Sequence, residues 1–303
     1  MTGIAGGRDG QAAASRDAGP EAVLFASYGT TIPSERDASI DPVAHELALA
    51  FPEARIAQAY ASGKVLRSLA GTADEMPGVP EAFEGLAASG VRSVVVQPGH
   101  LVHGVTFEVL ARQVEAARGS FDRLVMGEPL LSSEADLSAV ARALCGAFPP
   151  VSGSATVLVG HGFARDEAAG RDPGEDNAFA LVGERLLAQG RRDVLVGVMN
   201  AEKGGAADRT CGFDRIVREL SALDWTAGAS RRVTVAPLML TAGRHARTQI
   251  AGTGAESWTS RLAAHGFEVE TRIVGLGAIA GVRALYAAHA RSAWSASTVP
   301  ASC

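Results

Sequence analysis

The sequence predicts an α/β protein of two similar lobes, each a four-stranded, mostly parallel sheet flanked by helices. Short apolar runs alternate with longer amphipathic stretches, several of the runs are nearly continuous in Val, Leu and Ile, and both halves of the chain repeat the same order. The predicted strands are residues 22–26, 54–60, 93–98, 124–126, 156–160, 194–199, 233–240 and 268–274. The predicted helices are residues 41–51, 80–88, 105–117, 133–147, 177–189, 213–223, 257–264 and 281–290.

Matching residues at the strand ends relate the two halves of the chain. The strand that leads into Tyr28 corresponds to the strand that leads into His161, and Pro98 corresponds to Pro237. This repeat predicts two lobes of similar fold that follow one another along the chain. The predicted divisions are a disordered tail over residues 1–19, a first lobe over 20–150, a second lobe over 151–292 and a tail over 293–303.

Composition limits the classes of partner. The 303 residues include 28 basic and 33 acidic ones, a net charge of −5 without a basic stripe, which argues against a nucleic-acid partner. No apolar run approaches the ~18–20 residues that span a bilayer, and residues 1–19 lack the apolar core of a secretory signal. Three scattered cysteines fit neither a disulfide framework nor a zinc site. We expect a cytoplasmic protein with no membrane partner, and homo-oligomerisation is left open.

Four of the seven histidines follow predicted strands. His100 and His103 come after the third strand, His161 after the fifth and His245 after the seventh. Ligands of open α/β sheets bind at the carboxyl ends of the strands. His161 stands between two glycines, so it is interpreted as a metal ligand or proton acceptor, or alternatively as a helix cap. His245, like His100 and His103, is equally compatible with a ligand and with a structural role.

Motifs of several other chemistries are missing from the sequence. It contains no GxxxxGK[ST] loop, no GxGxxG that opens a helix after a strand, no GxSxG elbow and no HExxH pair. The sequence therefore predicts that the protein uses no nucleotide cofactor. It favours binding of a metal or of a ligand with metal affinity.

Short blocks along most of the chain resemble the sirohydrochlorin cobaltochelatases of anaerobic cobalamin biosynthesis. These are ATP-independent class II metal chelatases, with a two-lobed fold shared with ferrochelatase. The resemblance implies a chelatase-like fold and a lyase that inserts Co²⁺, as its substrate metal, into the tetrapyrrole sirohydrochlorin. The blocks are residues 27–30, 97–104, 127–131, 160–162, 236–240, 242–246, 251–252, 256–258 and 275–277.

The resemblance also implies roles for individual residues. His161 and His245 are expected to face each other across the cleft and bind the metal, with His161 also acting as the catalytic proton acceptor. An acidic third ligand is expected after the sixth strand, where simple alignment places Asn200 and where Glu202 lies two positions further on. We predict Glu202 as that ligand, with loss of the third ligand as the alternative. The predicted substrate-binding residues are Ser27, Tyr28, Gly29, Thr30 and His100, with Lys64, Arg67 and Arg244 as further donors to substrate carboxylates.

Three rival interpretations stay open. The first is insertion of another ion, such as Fe²⁺ for sirohaem, because imidazole and carboxylate ligands do not choose sharply among divalent metals. The second is a protein that holds a tetrapyrrole or a metal without insertion chemistry, which a missing acidic ligand would favour. The third is a two-lobed solute receptor, against which the missing signal sequence weighs.

Overall fold

The computed structural model describes residues 19–161, 174–199, 212–225 and 230–296, without the side chains of residues 174–177. These residues form two four-stranded sheets in which every pair of neighbouring strands is parallel. The predicted fold class is therefore confirmed. The predicted tail over 1–19 lies, except for Gly19, outside the described residues. No helix within the described ranges has the length and apolar character needed to cross a membrane.

The first sheet has the strand order β2-β1-β3-β4. Its strands are β1 (Ala22–Ser27), β2 (Arg55–Tyr60), β3 (Ser93–Pro98) and β4 (Arg123–Met126). The α-helices between and after them are α1 (Pro33–Glu35), α2 (Asp41–Ala50), α3 (Gly63–Leu69), α4 (Val79–Ala88), α5 (Val105–Ala117) and α6 (Glu134–Ala147). A π-helix (Arg36–Ile40) joins α1 to α2, and a 3₁₀ turn (Arg118–Ser120) follows α5.

The second sheet repeats this order as β6-β5-β7-β8. Its strands are β5 (Ser154–His161), β6 (Val194–Met199), β7 (Arg232–Leu238) and β8 (Glu268–Thr271). The α-helices are α7 (Gly174–Ala188), α8 (Phe213–Ala222), α9 (Trp258–Ala264) and α10 (Ala280–Ala296). A π-helix (Ala246–Ile250) follows β7, and a 3₁₀ turn (Leu276–Ala278) precedes α10. The same strand order in both sheets agrees with the repeat seen in the sequence.

All eight predicted strands are present, with differences at their edges. The strand predicted over 233–240 ends at Leu238, and that predicted over 268–274 ends at Thr271. Helix α3 was not predicted. Its N-cap is Ser62, whose hydroxyl accepts a hydrogen bond from the Val65 N–H at 3.4 Å.

Helix α10 follows the second sheet but packs on the first lobe. It contacts α2 and α6 and lies against β3 and β4. It also runs to Ala296, so the tail predicted over 293–303 begins too early. Its last turns are held because Ala293 and Trp294 pack on the core, and the Arg123 guanidinium lies 3.3 Å from the centre of the Trp294 ring.

One apolar core joins the two lobes. The cluster that contains Phe25 of β1 also contains Leu158 of β5 and Tyr286 of α10, all buried. The Tyr286 ring meets that of Phe25 edge-on at 6.1 Å, and its hydroxyl donates to the Gly99 carbonyl at 3.2 Å. Helix α10 therefore supports the backbone at the carboxyl end of β3.

We predict that Tyr286→Phe lowers the free energy of unfolding by about 1–2 kcal/mol. The substitution keeps the ring but removes the buried hydrogen bond to the Gly99 carbonyl. Urea denaturation measures the change, with Tyr28→Phe, on an exposed ring, as the matched control. Equal midpoints for Tyr286→Phe and the wild type would contradict the role given to this bond.

Candidate metal-binding site

The imidazole rings of His161 and His245 lie side by side at the carboxyl edge of the second sheet. Their centres are 4.9 Å apart, and their planes cross at 76°. An ion coordinated by an imidazole nitrogen lies about 2.1 Å from that nitrogen, and hence about 3.2 Å from the ring centre. The separation of the two centres is therefore short enough for one ion to contact both rings.

The pairing of neighbouring parallel strands brings these two residues together. His161 is the last residue of β5, and β5 pairs with β7 up to the match of Gly160 with Leu238. The chain leaves β7 through a short segment that ends at His245, which directly precedes the second π-helix. Both histidines therefore belong to the second lobe, and the first lobe borders their site.

Close packing against α7 explains why glycine precedes His161. A Cβ at Gly160 would lie 2.7 Å from Cε1 of the buried Phe179 ring of α7. Glycine lets β5 approach α7 closely and still end at His161. The second flanking glycine, Gly162, lies outside the described residues.

The surroundings of His245 favour its neutral form. Partial burial lowers the pKa of this imidazole, and the nearby His161, Lys64 and Arg244 lower it further. The neutral imidazole is the form that binds metal ions. Lys64 belongs to α3, so the first lobe contributes a positive charge to the neighbourhood of the pair.

The predicted substrate-binding segment follows β1. Ser27 and Thr30 are buried, whereas 48% of Tyr28 is exposed. Gly29 has φ +94°, and a Cβ there would lie 2.6 Å from the Tyr60 ring, so glycine is required for two reasons. The Thr30 hydroxyl lies 3.7 Å from the position that a Cβ at Gly243 would take. The segment after β1 therefore runs beside the segment that carries His245.

His100 occupies a buried position after β3. Only 8% of the residue is exposed, and neither ring nitrogen has a hydrogen-bond partner among the described residues. The ring packs edge-on against Phe107 at 5.9 Å. Burial lowers the pKa of His100 to about 4, so this imidazole is neutral at physiological pH. Its assignment to substrate binding stays a prediction.

The position predicted for a third metal ligand lies outside the residues that the structure describes. Asn200 and Glu202 both fall in residues 200–211, outside the described ranges. Within those ranges no cluster of three or more His, Cys, Asp or Glu side chains has the arrangement of a metal site. The structure thus brings two of the three predicted ligands together, and Glu202 stays a prediction.

Comparison with known proteins decides the family. A family model described as cobalt chelatase (CbiK) matches residues 21–295. This chain belongs to the cobalt chelatase (CbiK) family. The resemblance found in the sequence is confirmed, and the match spans both lobes and nearly all of α10.

Two relatives named sirohydrochlorin cobaltochelatase are similar to most of this chain. A sirohydrochlorin cobaltochelatase of Salmonella typhimurium is 29% identical over 275 residues, which cover 90% of this chain and 96% of that protein. The sirohydrochlorin cobaltochelatase CbiKC of Nitratidesulfovibrio vulgaris is 30% identical over 250 residues, which cover 81% of each protein.

Solved structures of chelatases share the fold of this cobalt chelatase. SirB from Bacillus subtilis with Fe³⁺ aligns with a TM-score of 0.60 at 15% identity, over 91% of this chain and 96% of that one. The sirohydrochlorin chelatase SirB from Bacillus subtilis subspecies spizizenii, in complex with cobalt, aligns with a TM-score of 0.52 at 16% identity, over 90% and 95%. The predicted chelatase-like fold is therefore confirmed.

The first lobe of the chelatase borders the histidine pair with a helix that sequence patterns did not reveal. The sequence predicts Lys64 only as one donor among several, because nothing in its neighbourhood distinguishes it from a solvated lysine. The available signal is Ser62, two residues after the end of β2, since serine is typical of the residue that precedes a helix.

We predict that His100 makes the stability of the protein depend on pH between 6.5 and 4. The imidazole of the unfolded chain takes up a proton below its usual pKa of 6.5, whereas that of the folded chain does so only near 4. The contribution is therefore fully present above the higher value and is lost as the pH falls. The full loss is about 3 kcal/mol, measured as a free energy of unfolding.

Chemical denaturation at several pH values, compared with His100→Leu, checks this prediction. The variant should lose this part of the slope, whereas His45→Leu, at an exposed position of α2, should keep the wild-type slope. A wild-type slope in His100→Leu would contradict the prediction.

Proposed function

We propose that this chain inserts Co²⁺ into sirohydrochlorin. The observation that carries the proposal is the pair of imidazoles 4.9 Å apart at the edge of the second sheet, in a member of the cobalt chelatase family. Two relatives named sirohydrochlorin cobaltochelatase, each matched over four-fifths or more of its length, supply the substrate. We propose anaerobic cobalamin biosynthesis as the context, which is what the family resemblance of the sequence implies.

The reaction exchanges two protons for one divalent ion. Both pyrrole N–H groups of the macrocycle lose a proton, and Co²⁺ takes up the two freed nitrogen lone pairs. Charge balances, and the metal keeps its valence. The step as written uses neither a redox partner nor a nucleotide.

His161 and His245 have different tasks in this proposal. His245, whose pKa is lowered by burial and by its positive neighbours, holds the ion through a neutral nitrogen. His161 shares the ion and accepts a proton from the macrocycle as the metal is transferred. The ion must leave its protein ligands, so a small set of imidazole and carboxylate ligands suits the reaction better than a closed cage. We assign the carboxylate to Glu202.

The macrocycle is proposed to lie between the histidine pair and the first lobe. Sirohydrochlorin carries several carboxylates, and Lys64 and Arg244 place positive charge beside His245. The exposed Tyr28 ring offers an apolar surface on the same segment as Thr30, whose buried hydroxyl lies beside Gly243. These contacts would orient the tetrapyrrole so that its nitrogens face the ion.

The deciding experiment mixes purified protein, sirohydrochlorin and Co²⁺ under anaerobic conditions and follows the absorbance of the product. We expect many product molecules per protein molecule. Product that stops at one equivalent would identify a binding protein instead. A parallel series with Fe²⁺ tests the rival metal, and a higher kcat/KM for Fe²⁺ than for Co²⁺ would assign the chain to sirohaem formation.

We predict that His161→Ala lowers the insertion rate by about 100- to 10,000-fold and leaves the fold intact, because it removes the proton acceptor. His245→Ala should raise the Kd for Co²⁺ by a larger factor than the Kd for sirohydrochlorin. Steady-state rates, and titrations with each substrate alone, measure these effects.

His45→Ala, at an exposed position of α2, is the control and should behave as the wild type. Unchanged Co²⁺ insertion by His161→Ala would remove the role proposed for that residue. A larger loss of tetrapyrrole affinity than of Co²⁺ affinity in His245→Ala would assign that residue to the macrocycle.

A further inference from the structure

A buried carboxylate of the first lobe binds the chain on both sides of His245. Glu35, at the end of α1, is 5% exposed. One of its oxygens accepts a hydrogen bond from the Ala242 backbone N–H at 3.0 Å, and the other accepts one from Nη2 of Arg247 at 2.6 Å. One side chain thus holds two points, three residues before His245 and two residues after it.

Backbone hydrogen bonds hold the start of the same segment. The N–H groups of Leu276 and Gly277 donate to the carbonyls of Met239 and Leu240, at 2.8 and 3.1 Å. These bonds fix the start of the segment that leaves β7. Within the segment, the Thr248 hydroxyl donates a hydrogen bond to the Arg244 carbonyl at 2.9 Å. Among the described contacts, the side-chain bonds that join the first lobe to this segment come from Glu35.

His245 as a residue is exposed, although Ala242 and Ala246 on either side of it are fully buried. Its position over His161 therefore depends on where the backbone from 242 to 247 lies. A shift of that backbone would therefore move the imidazole.

We propose that Glu35 is a positioning residue, which sets the place of His245 over His161 and thereby the affinity of the pair for Co²⁺. The inference rests on the proposed function only in taking the pair as the metal site. Glu35 touches neither the ion nor the macrocycle. It acts through Ala242 and Arg247, and it couples the first lobe to a ligand that belongs to the second.

Two variants of Glu35 separate its two bonds. Glu35→Gln keeps an oxygen for the Ala242 N–H but presents an amide N–H₂ to the Arg247 guanidinium, so only the second bond is lost. Glu35→Ala removes both. We expect the Kd for Co²⁺ to rise about threefold in the first variant and about tenfold or more in the second, as for residues that orient metal ligands.

Glu46→Ala is the matched control. Glu46 on α2 forms an ion pair at 3.8 Å with Arg283 of α10, so it too joins the first lobe to a later segment. This pair lies away from His245 in the sequence. We expect Glu46→Ala to bind Co²⁺ within twofold of the wild type, even where its melting temperature falls as far as that of the Glu35 variants.

The measurement is a Co²⁺ titration of the full chain under anaerobic conditions without tetrapyrrole, with thermal melting of each variant. A graded loss of Co²⁺ affinity from Gln to Ala supports the inference. A Kd within twofold of Glu46→Ala for both Glu35 variants overturns it and leaves Glu35 as a link between the lobes. Arg247→Ala should match Glu35→Gln, and the two changes together should be less than additive.

Steady-state rates separate this inference from the proposed function. In Glu35→Gln the KM for Co²⁺ should rise while the KM for sirohydrochlorin stays within twofold. Wild-type protein that binds Co²⁺ but forms no product would overturn the proposed function alone. Wild-type protein that does not bind Co²⁺ would overturn both.

Discussion

The parallel pairing of β5 with β7 is the constraint on which the candidate site depends. Hydrogen bonds along this pair bring Gly160 opposite Leu238, so the residues that follow each strand leave the sheet at the same edge. The two imidazoles are far apart along the chain, yet their ring centres lie 4.9 Å apart. Val157, Leu158 and Val159 are fully buried, so the burial that stabilises the sheet also holds the strand that ends at His161.

The first lobe adds charge and backbone support to this edge. Lys64 acts on the pKa of His245, and Glu35 holds the backbone on either side of it. These contributions require a fixed relation between the lobes. The shared core provides it, because Phe25 of β1 and Leu158 of β5 belong to one buried apolar cluster, and α6 packs on α7. The geometry of the second lobe's ligands relative to the first lobe therefore depends on this packing.

Sequence patterns predict the parts of this molecule that depend on burial. The strands are recognisable because runs such as Val94–Val95–Val96 are buried on both faces and read as continuous apolar segments. Helix α3 is not recognisable by this criterion, since its seven residues bury only Val65 and Leu69. The two histidines could be selected because they follow strands. Glu35 could not, because its partners at Ala242 and Arg247 are 207 and 212 residues away, and beside Arg36 it resembles an ordinary solvated charge.

The two lobes share a fold but contribute different groups to the candidate site. The second lobe supplies both imidazoles from one sheet edge, whereas the first supplies Lys64, the segment from Ser27 to Thr30, and the carboxylate of Glu35. A chelatase must hold the ion and the macrocycle in a defined relation, and here each partner is assigned mainly to a different lobe. Strand pairing alone would bring the imidazoles together, but it would not set their distance from the macrocycle. In the proposed arrangement that distance depends on the contacts between the lobes, so the approach of the ion to the macrocycle is a property of the interface and of neither lobe alone.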